Sequence, residues 1–184
     1  LRVQRDPSVY SLTARPGYLR LRGGQSPVSN FGQTLLARRQ TDFRFKTETK
    51  MEFSPLSFQH LAGLAWRYDE RNFYLAAVSL DEERGRVINV LSAAAGSFTR
   101  GCEVVLPPDG PIWLGLTVDY GTGMFRYSLD GLKWTEVRPV LDSGVLSDEY
   151  GGLGFTGAFV GMFCVDTVNY SATADFEYFS YSAS

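Results

Sequence analysis

Histidine is almost missing from this chain: one residue, His60, stands in 184, together with only two cysteines. A lone histidine cannot anchor a multi-histidine metal site or pair with a second imidazole. It could serve a Ser-His-Asp relay, but no Gly-x-Ser-x-Gly elbow presents a nucleophile. His60, in "SFQHLAGL" at the mouth of a strand, therefore reads as a surface or loop histidine. Cys102 and Cys164 lie far apart, without metal-ligand spacing and without a base beside either. They read as two small buried hydrophobes, and whether they pair cannot be read from spacing. No apolar run approaches the length of a bilayer span. The formal net charge of −2 gives no electrostatic case for nucleic acid or an anionic membrane as partner. The chain opens on Leu1, followed by "RVQRD", and reads as a cut piece of a longer protein, which leaves its compartment open.

What is present is aromatic. Phe, Trp and Tyr make up 14% of the residues, and glycine and proline punctuate the chain at short intervals, which favours short strands joined by turns. The clearest segment is "TDFRFKTETKMEF". Phe43, Phe45, Thr47, Thr49, Met51 and Phe53 share one parity, while Asp42, Arg44, Lys46, Glu48, Lys50 and Glu52 share the other. A period of two held this long predicts a strand with one face on a core and one in water. "LAGLAWRYDERNFYLAAVSL" reads as two strands around a turn at Asp69 to Asn72, with a further reversal near Arg84-Gly85. "PIWLGLTVDYGTGMFRYSLDGLKWTEV" holds reversals at Gly121-Thr122-Gly123 and at Asp130-Gly131, the latter read as a tight hairpin whose two turn residues take positive φ. "ADFEYFSYS" is a terminal strand, and only "PVLDSGVLSDEYGG" has room for a helical turn. Roughly a dozen antiparallel strands without βαβ units predict an all-β sandwich or barrel. No linker is visible, so residues 1–184 read as one domain.

Acidic residues are numerous, yet most fall at turns or on the solvated face of the 42–53 strand. Glycoside hydrolysis needs two carboxyls roughly 5–9.5 Å apart across a sugar site, and no such pair is visible. Asp142, Asp148 and Glu149 raise the question of a structural calcium, but their spacing is not that of a ligand set. No cofactor or metal is expected. A sugar-binding face would use aromatic platforms. Trp113, in the apolar "PIWLGLTV", reads as core, and Trp134 follows a hairpin where cores recruit large rings. Trp66 and Tyr68 are the better candidates for carbohydrate contact. One stretch stands apart: "YGGLGFTGAFVGMFC", residues 150–164, carries five glycines and no charge. Its second half reads as a buried strand. Its entrance is nearly bare backbone ending in Phe155, a ring that either plugs this domain's core or is held out for something else.

The strings "LRLRGGQSP", "LLARRQ", "LAGLAWRYDERNFYLAAVS", "GGLGFTGAFVGMFCVDT" and "ADFEYFSY", in this order along nearly the whole chain, resemble the carboxy-terminal concanavalin A-like domain of glycoside hydrolase family 43 β-xylosidases. The resemblance implies a jelly-roll β-sandwich of the lectin/glucanase type. It also implies an amino-terminal five-bladed propeller that carries the catalytic acids, so no catalytic residue is transferred to this chain. In that family a sandwich loop brings an aromatic ring to the rim of the substrate pocket. The matching string here is "GGLGFTGAF", which assigns the rim to Gly154, Phe155 and Thr156. Some relatives carry two adjacent phenylalanines where this chain has Gly154-Phe155. The implied role is accessory: docking on the propeller of a β-xylosidase or α-arabinofuranosidase and closing its pocket around short xylo-oligosaccharides. The parent enzyme is then expected in the bacterial cytoplasm, as a monomer or a homo-oligomer. The alternatives are an independent carbohydrate-binding module and a free-standing sandwich glycosidase.

Overall fold

The computed structural model describes residues 7–151 and 155–183. Thirteen strands run through them. The first five are β1 (Tyr10–Ser11), β2 (Leu19–Arg22), β3 (Thr34–Arg39), β4 (Arg44–Glu52) and β5 (His60–Arg67). Four more follow as β6 (Phe73–Asp81), β7 (Gly85–Ala94), β8 (Ser97–Val105) and β9 (Ile112–Asp119). The last are β10 (Thr122–Ser128), β11 (Thr135–Asp142), β12 (Phe159–Asp166) and β13 (Thr173–Ala183). They form two antiparallel sheets packed face to face, ordered β1-β2-β13-β4-β9-β10-β11 and β3-β12-β5-β6-β7-β8. The strand pattern predicted a sandwich or barrel and the resemblance a concanavalin A-like sandwich, and the structure is the latter. Helix is limited to short turns, including Ser143–Leu146 and α1 (Asp148–Gly151), inside the segment read as having room for one.

The alternation of β4 does what a period of two requires. Phe45, Thr47, Thr49 and Met51 face the core, and Phe53 is buried just past the strand's end. The two buried threonines are paid for locally: their hydroxyls donate to the carbonyls of Ser180 and Tyr178 on β13, each at 2.6 Å. Phe43 departs from the pattern. The strand begins one residue later, so its ring stands 74% exposed in the preceding loop. β5 and β6 are buried on both faces, because residues 23–33 fold over the outside of their sheet. The Pro27 carbonyl there accepts from the Arg67 guanidinium and from the Gln33 amide, each at 2.7 Å.

Several expectations are corrected here. Trp113 is not core: it shares the outward parity of Thr117 and Asp119, is half-buried, and lies under Lys50. Trp134 is also half-buried on that outer face, with the Arg126 guanidinium 4.3 Å from its ring. Cys102 is exposed on β8 while Cys164 is buried, and both are free thiols. Asp130-Gly131 is not a two-residue hairpin. The connection runs from Leu129 to Trp134, only Gly131 has positive φ, and Asp130 instead accepts the N–H groups of Leu132 and Lys133, both at 2.8 Å. The reversal after β9 falls at Tyr120-Gly121, one residue earlier than expected.

His60 is buried, not a surface residue. Its Nδ1 accepts the Leu56 N–H at 3.3 Å, and its Nε2 stands 3.5 Å from the Asp166 carboxylate. Asp166 organises the loop after β12, accepting N–H groups from Val168, Asn169, Ser171 and Ala172 at 2.8–3.1 Å. Burial opposes its charge, but the four backbone donors outweigh burial and hold the carboxyl far below the usual range. In the unfolded chain the group titrates near about 3.9. Its stabilisation is therefore complete above that value and is lost as pH falls toward the lower folded value. Melts taken through acid pH should lose stability below about pH 4. Asp166→Asn should flatten part of that limb and cost about 2–4 kcal/mol at neutral pH, since an amide cannot accept all four bonds. An unchanged acid limb in the variant would remove Asp166 as its source.

Candidate functional site

Loops from both sheets converge at one end of the sandwich: 40–43 between β3 and β4, 120–121 between β9 and β10, and, ahead of β12, residues 143–147 and 155–158. Backbone bonds lace them together. Gln40 N–H donates to Ala158 O at 2.9 Å, Tyr120 N–H to Phe43 O at 2.8 Å, and Ser143 N–H to Gly121 O at 3.0 Å. Side chains add to this, as the Tyr181 hydroxyl accepts the N–H groups of Thr41 and Asp42 and donates to the Asp42 carboxylate. The result is a braced platform carrying unusually bare aromatic rings.

Phe155 is 78% exposed, so the core-plug reading is overturned. Its φ is +46°, a left-handed conformation that a bulky side chain rarely adopts and that costs on the order of 1–3 kcal/mol. Tyr120, also exposed, has φ +50° and stacks in near-parallel fashion on Phe43, centroids 6.3 Å apart. Arg44 lies over Tyr120 and pairs with Asp119 at 2.7 Å. Beside the aromatic pair opens a hollow of about 310 Å³ lined by Gln40, Phe43, Tyr120, Ser143, Leu146 and Ala158. Two exposed aromatics with positive φ thus stand on this braced end.

Gly154 lies outside the described residues. Thr156 is placed beside Phe155, its carbonyl accepting from the Arg39 guanidinium. Trp66 and Tyr68, read from sequence as carbohydrate contacts, are not open platforms. Trp66 is 0% exposed, because Gly123 on β10 lies against its ring; a Cβ there would sit 2.4 Å from the indole. The indole N–H donates to Gln40 Oε1 at 2.8 Å, so Trp66 serves as the floor beneath the loops. Tyr68 is buried too, and its hydroxyl donates to the Asp148 carboxylate. That bond to a carboxylate, with burial second, pushes the phenol's pKa up.

Among the described residues, no group of three or more His, Cys, Asp or Glu is placed to hold a metal ion. Of the acids weighed for calcium, Asp142 caps the turn that follows it by accepting Gly144 N–H, and Asp148 is engaged by Tyr68. Carboxylates on the outer face of the seven-stranded sheet meet cations: Glu52 with Arg15, Asp175 with Arg15 and Arg20, Glu177 with Lys50, and Glu48 with Arg126. The Arg15 hydrogen bond holds the Glu52 carboxyl below its ordinary range. A carboxylate held ionised as Glu52 is makes a poor general acid. Outside the other sheet, Val28, Phe58, Leu61, Leu91, Phe98 and Arg100 border a hollow of about 600 Å³ with mainly apolar walls.

Residues 1–182 match the family described as the β-xylosidase C-terminal concanavalin A-like domain. A candidate β-xylosidase of Escherichia coli is 42% identical over 98% of this chain and 35% of its own length. A β-xylosidase of Bacillus subtilis is 37% identical over 98% of this chain and likewise 35% of itself. The crystal structure of a xylan β-1,4-xylosidase from Bacillus halodurans superposes with a TM-score of 0.94 at 36% identity, covering 99% of this chain and 36% of that one. The chain thus spans about a third of the length of the curated relatives it matches.

Proposed function

Because this chain belongs to the C-terminal concanavalin A-like domains of β-xylosidases, we propose that it is the non-catalytic partner of a preceding catalytic domain, docking on it through the Phe155 end. The observation that carries this reading is Phe155 itself. An exposed phenylalanine in a left-handed conformation gains nothing for an isolated sandwich, whereas a ring held out from a braced platform can complete a pocket on another domain. Phe43, Tyr120 and the hollow beside them supply the rest of the footprint. The catalytic domain is a five-bladed propeller, and the substrates are short xylosides or arabinosides whose far side the ring closes off from water. The parent polypeptide is a glycoside hydrolase, and the acids that perform hydrolysis lie outside this chain.

Calorimetric titration of the isolated chain with xylobiose and xylohexaose should give no binding heat, and the chain should turn over no aryl xyloside. Binding of xylohexaose by the isolated chain would favour the carbohydrate-binding-module reading, with the hollow beside Phe58 and Phe98 as its location. Turnover that survives repurification and disappears on mutating an acid of this chain would favour a free-standing glycosidase.

A further inference from the structure

The last strand outruns one of its two neighbours. β13 pairs with β4 along Asp175–Ala183, but with β2 only along Thr173–Phe176. Residues 12–18 do not continue that second pairing. They turn off the edge, with Gly17 at φ +83°, and Arg15 pins them to the outer face of the sheet through Glu52 and Asp175. Among the described residues, no strand lies beside Glu177–Ala183 on this flank. The Thr49 and Thr47 hydroxyls reach the carbonyls of Tyr178 and Ser180, so these two residues turn their backbone toward β4. Phe179 and Tyr181, of the opposite parity, therefore direct N–H and C=O to the open side. A hollow of about 310 Å³ lies along the same flank, walled by Leu12, Leu19, Met162, Phe176 and Phe179. Leu12 stands 67% exposed beside it.

Exposed edges are normally guarded by charge, proline or a bulge. β3 carries Arg38 and Arg39, and β11 carries Glu136, Arg138 and Pro139. β8 has Arg100, Glu103 and a bulge in its pairing with β7. The free half of β13 reads "YFSYSA" from Tyr178 to Ala183, without charge or proline, and the strand's own bulge falls ahead of it, between Phe176 and Tyr178. The flank also joins two fixed points. Tyr10 of β1 lies against Leu21, and Leu21 against Ala174, whereas at the Phe155 end Ala183 lies against Phe45. From Ala174 to Ala183 is about 30 Å of extended strand. On the reading above, the catalytic portion is joined to the chain ahead of Tyr10 and seated on the Phe155 end. The free half of β13 lies between those two places.

We propose that this free half is an interdomain docking edge: an extended segment of the preceding catalytic portion pairs with Phe179–Ala183 as an added strand and sets apolar side chains into the hollow beside Leu12. The inference rests on the Phe155-end reading for the identity of the partner. It goes further by naming a second contact and the chemistry that makes it. Main-chain hydrogen bonds hold the added strand, and its alternate side chains face the hollow.

Amide exchange, compared between this chain alone and the full-length enzyme, tests the proposal. The Phe179 and Tyr181 amides should exchange about a hundred-fold more slowly in the full-length enzyme, approaching the rates of Tyr178 and Ser180. Leu12→Asp, at an exposed position, should leave the melt of the chain alone unchanged and speed that exchange in the full-length enzyme by about ten-fold or more. Full protection in this variant would overturn the seating in the hollow, and the proposal with it. Unslowed exchange at Phe179 and Tyr181, with slowed exchange at Phe155 and Gly157, would overturn the docking edge and leave the Phe155-end reading standing. Slowing at neither place would overturn both. Slowing along β13 alone would keep the docking edge and overturn the Phe155 end. Slowing that grows with concentration in the chain alone would assign the edge to a second copy and overturn the proposal.

Discussion

Replacing Phe45 by alanine should destabilise the sandwich by about 3–5 kcal/mol, measured as a shift in the denaturant midpoint with the slope unchanged. Phe45 is fully buried near the middle of the seven-stranded sheet, where β4 is paired on one side with β9 and on the other with β13. Its ring stacks on Tyr181 with centroids 4.8 Å apart and planes 19° from parallel, so truncation strands a partner as well as opening a cavity. The site has little freedom to collapse, because both neighbouring strands are held in register by ladder bonds. Lys46, the next residue, faces water, and Lys46→Ala should change stability by less than about 0.5 kcal/mol. Equal losses from the two substitutions would mean that the buried face of β4 has been assigned the wrong way round.

Phe155→Ala should behave in the opposite manner. The ring is mostly in solvent, so the isolated chain should melt within about 0.5 kcal/mol of wild type. On the docking proposed above, the same change in the full-length enzyme should lower kcat/KM on xylobiose by about ten- to a hundred-fold, through loss of a ring that would position substrate and exclude water. The paired measurement separates the roles without ambiguity. A large loss in the melt with unaltered kinetics would return Phe155 to a structural duty. Loss in neither would leave the exposed ring without function in docking or catalysis.

How far the sequence could be read depended on how many faces of each strand meet water. β4 has one wet face, and its alternation is legible residue by residue. β5 and β6 have none, since residues 23–33 cover the outer side of their sheet, so the apolar run carries no parity and Trp66 could not be assigned to a face. β9 did carry the signal. Ile112, Leu114, Leu116 and Val118 alternate with Trp113, Gly115, Thr117 and Asp119, and the company Trp113 keeps places it outside. Reading the segment as uniformly apolar obscured this. Tyr68 and Asp148, 80 positions apart, illustrate a different limit. A hydrogen bond between two loops leaves no periodic trace in either, and only the closed sandwich brings them together. Asp130 misled because aspartate serves turns in two ways: by tolerating positive φ, and by accepting backbone N–H groups with its side chain. Here it does the second.

The strand order has a consequence for synthesis. β13 lies between β2 and β4, and β12 between β3 and β5, so the latest strands fill interior slots of sheets whose other members are made first. Until residues 159–183 have left the ribosome, β4 and β5 each lack a neighbour and present unpaired edges, and the cluster around Trp66 stays open. The nascent domain must wait as an incomplete, adhesive intermediate until that segment emerges. A messenger truncated within this last segment would yield a polypeptide whose sandwich cannot close, a natural substrate for chaperones and proteases.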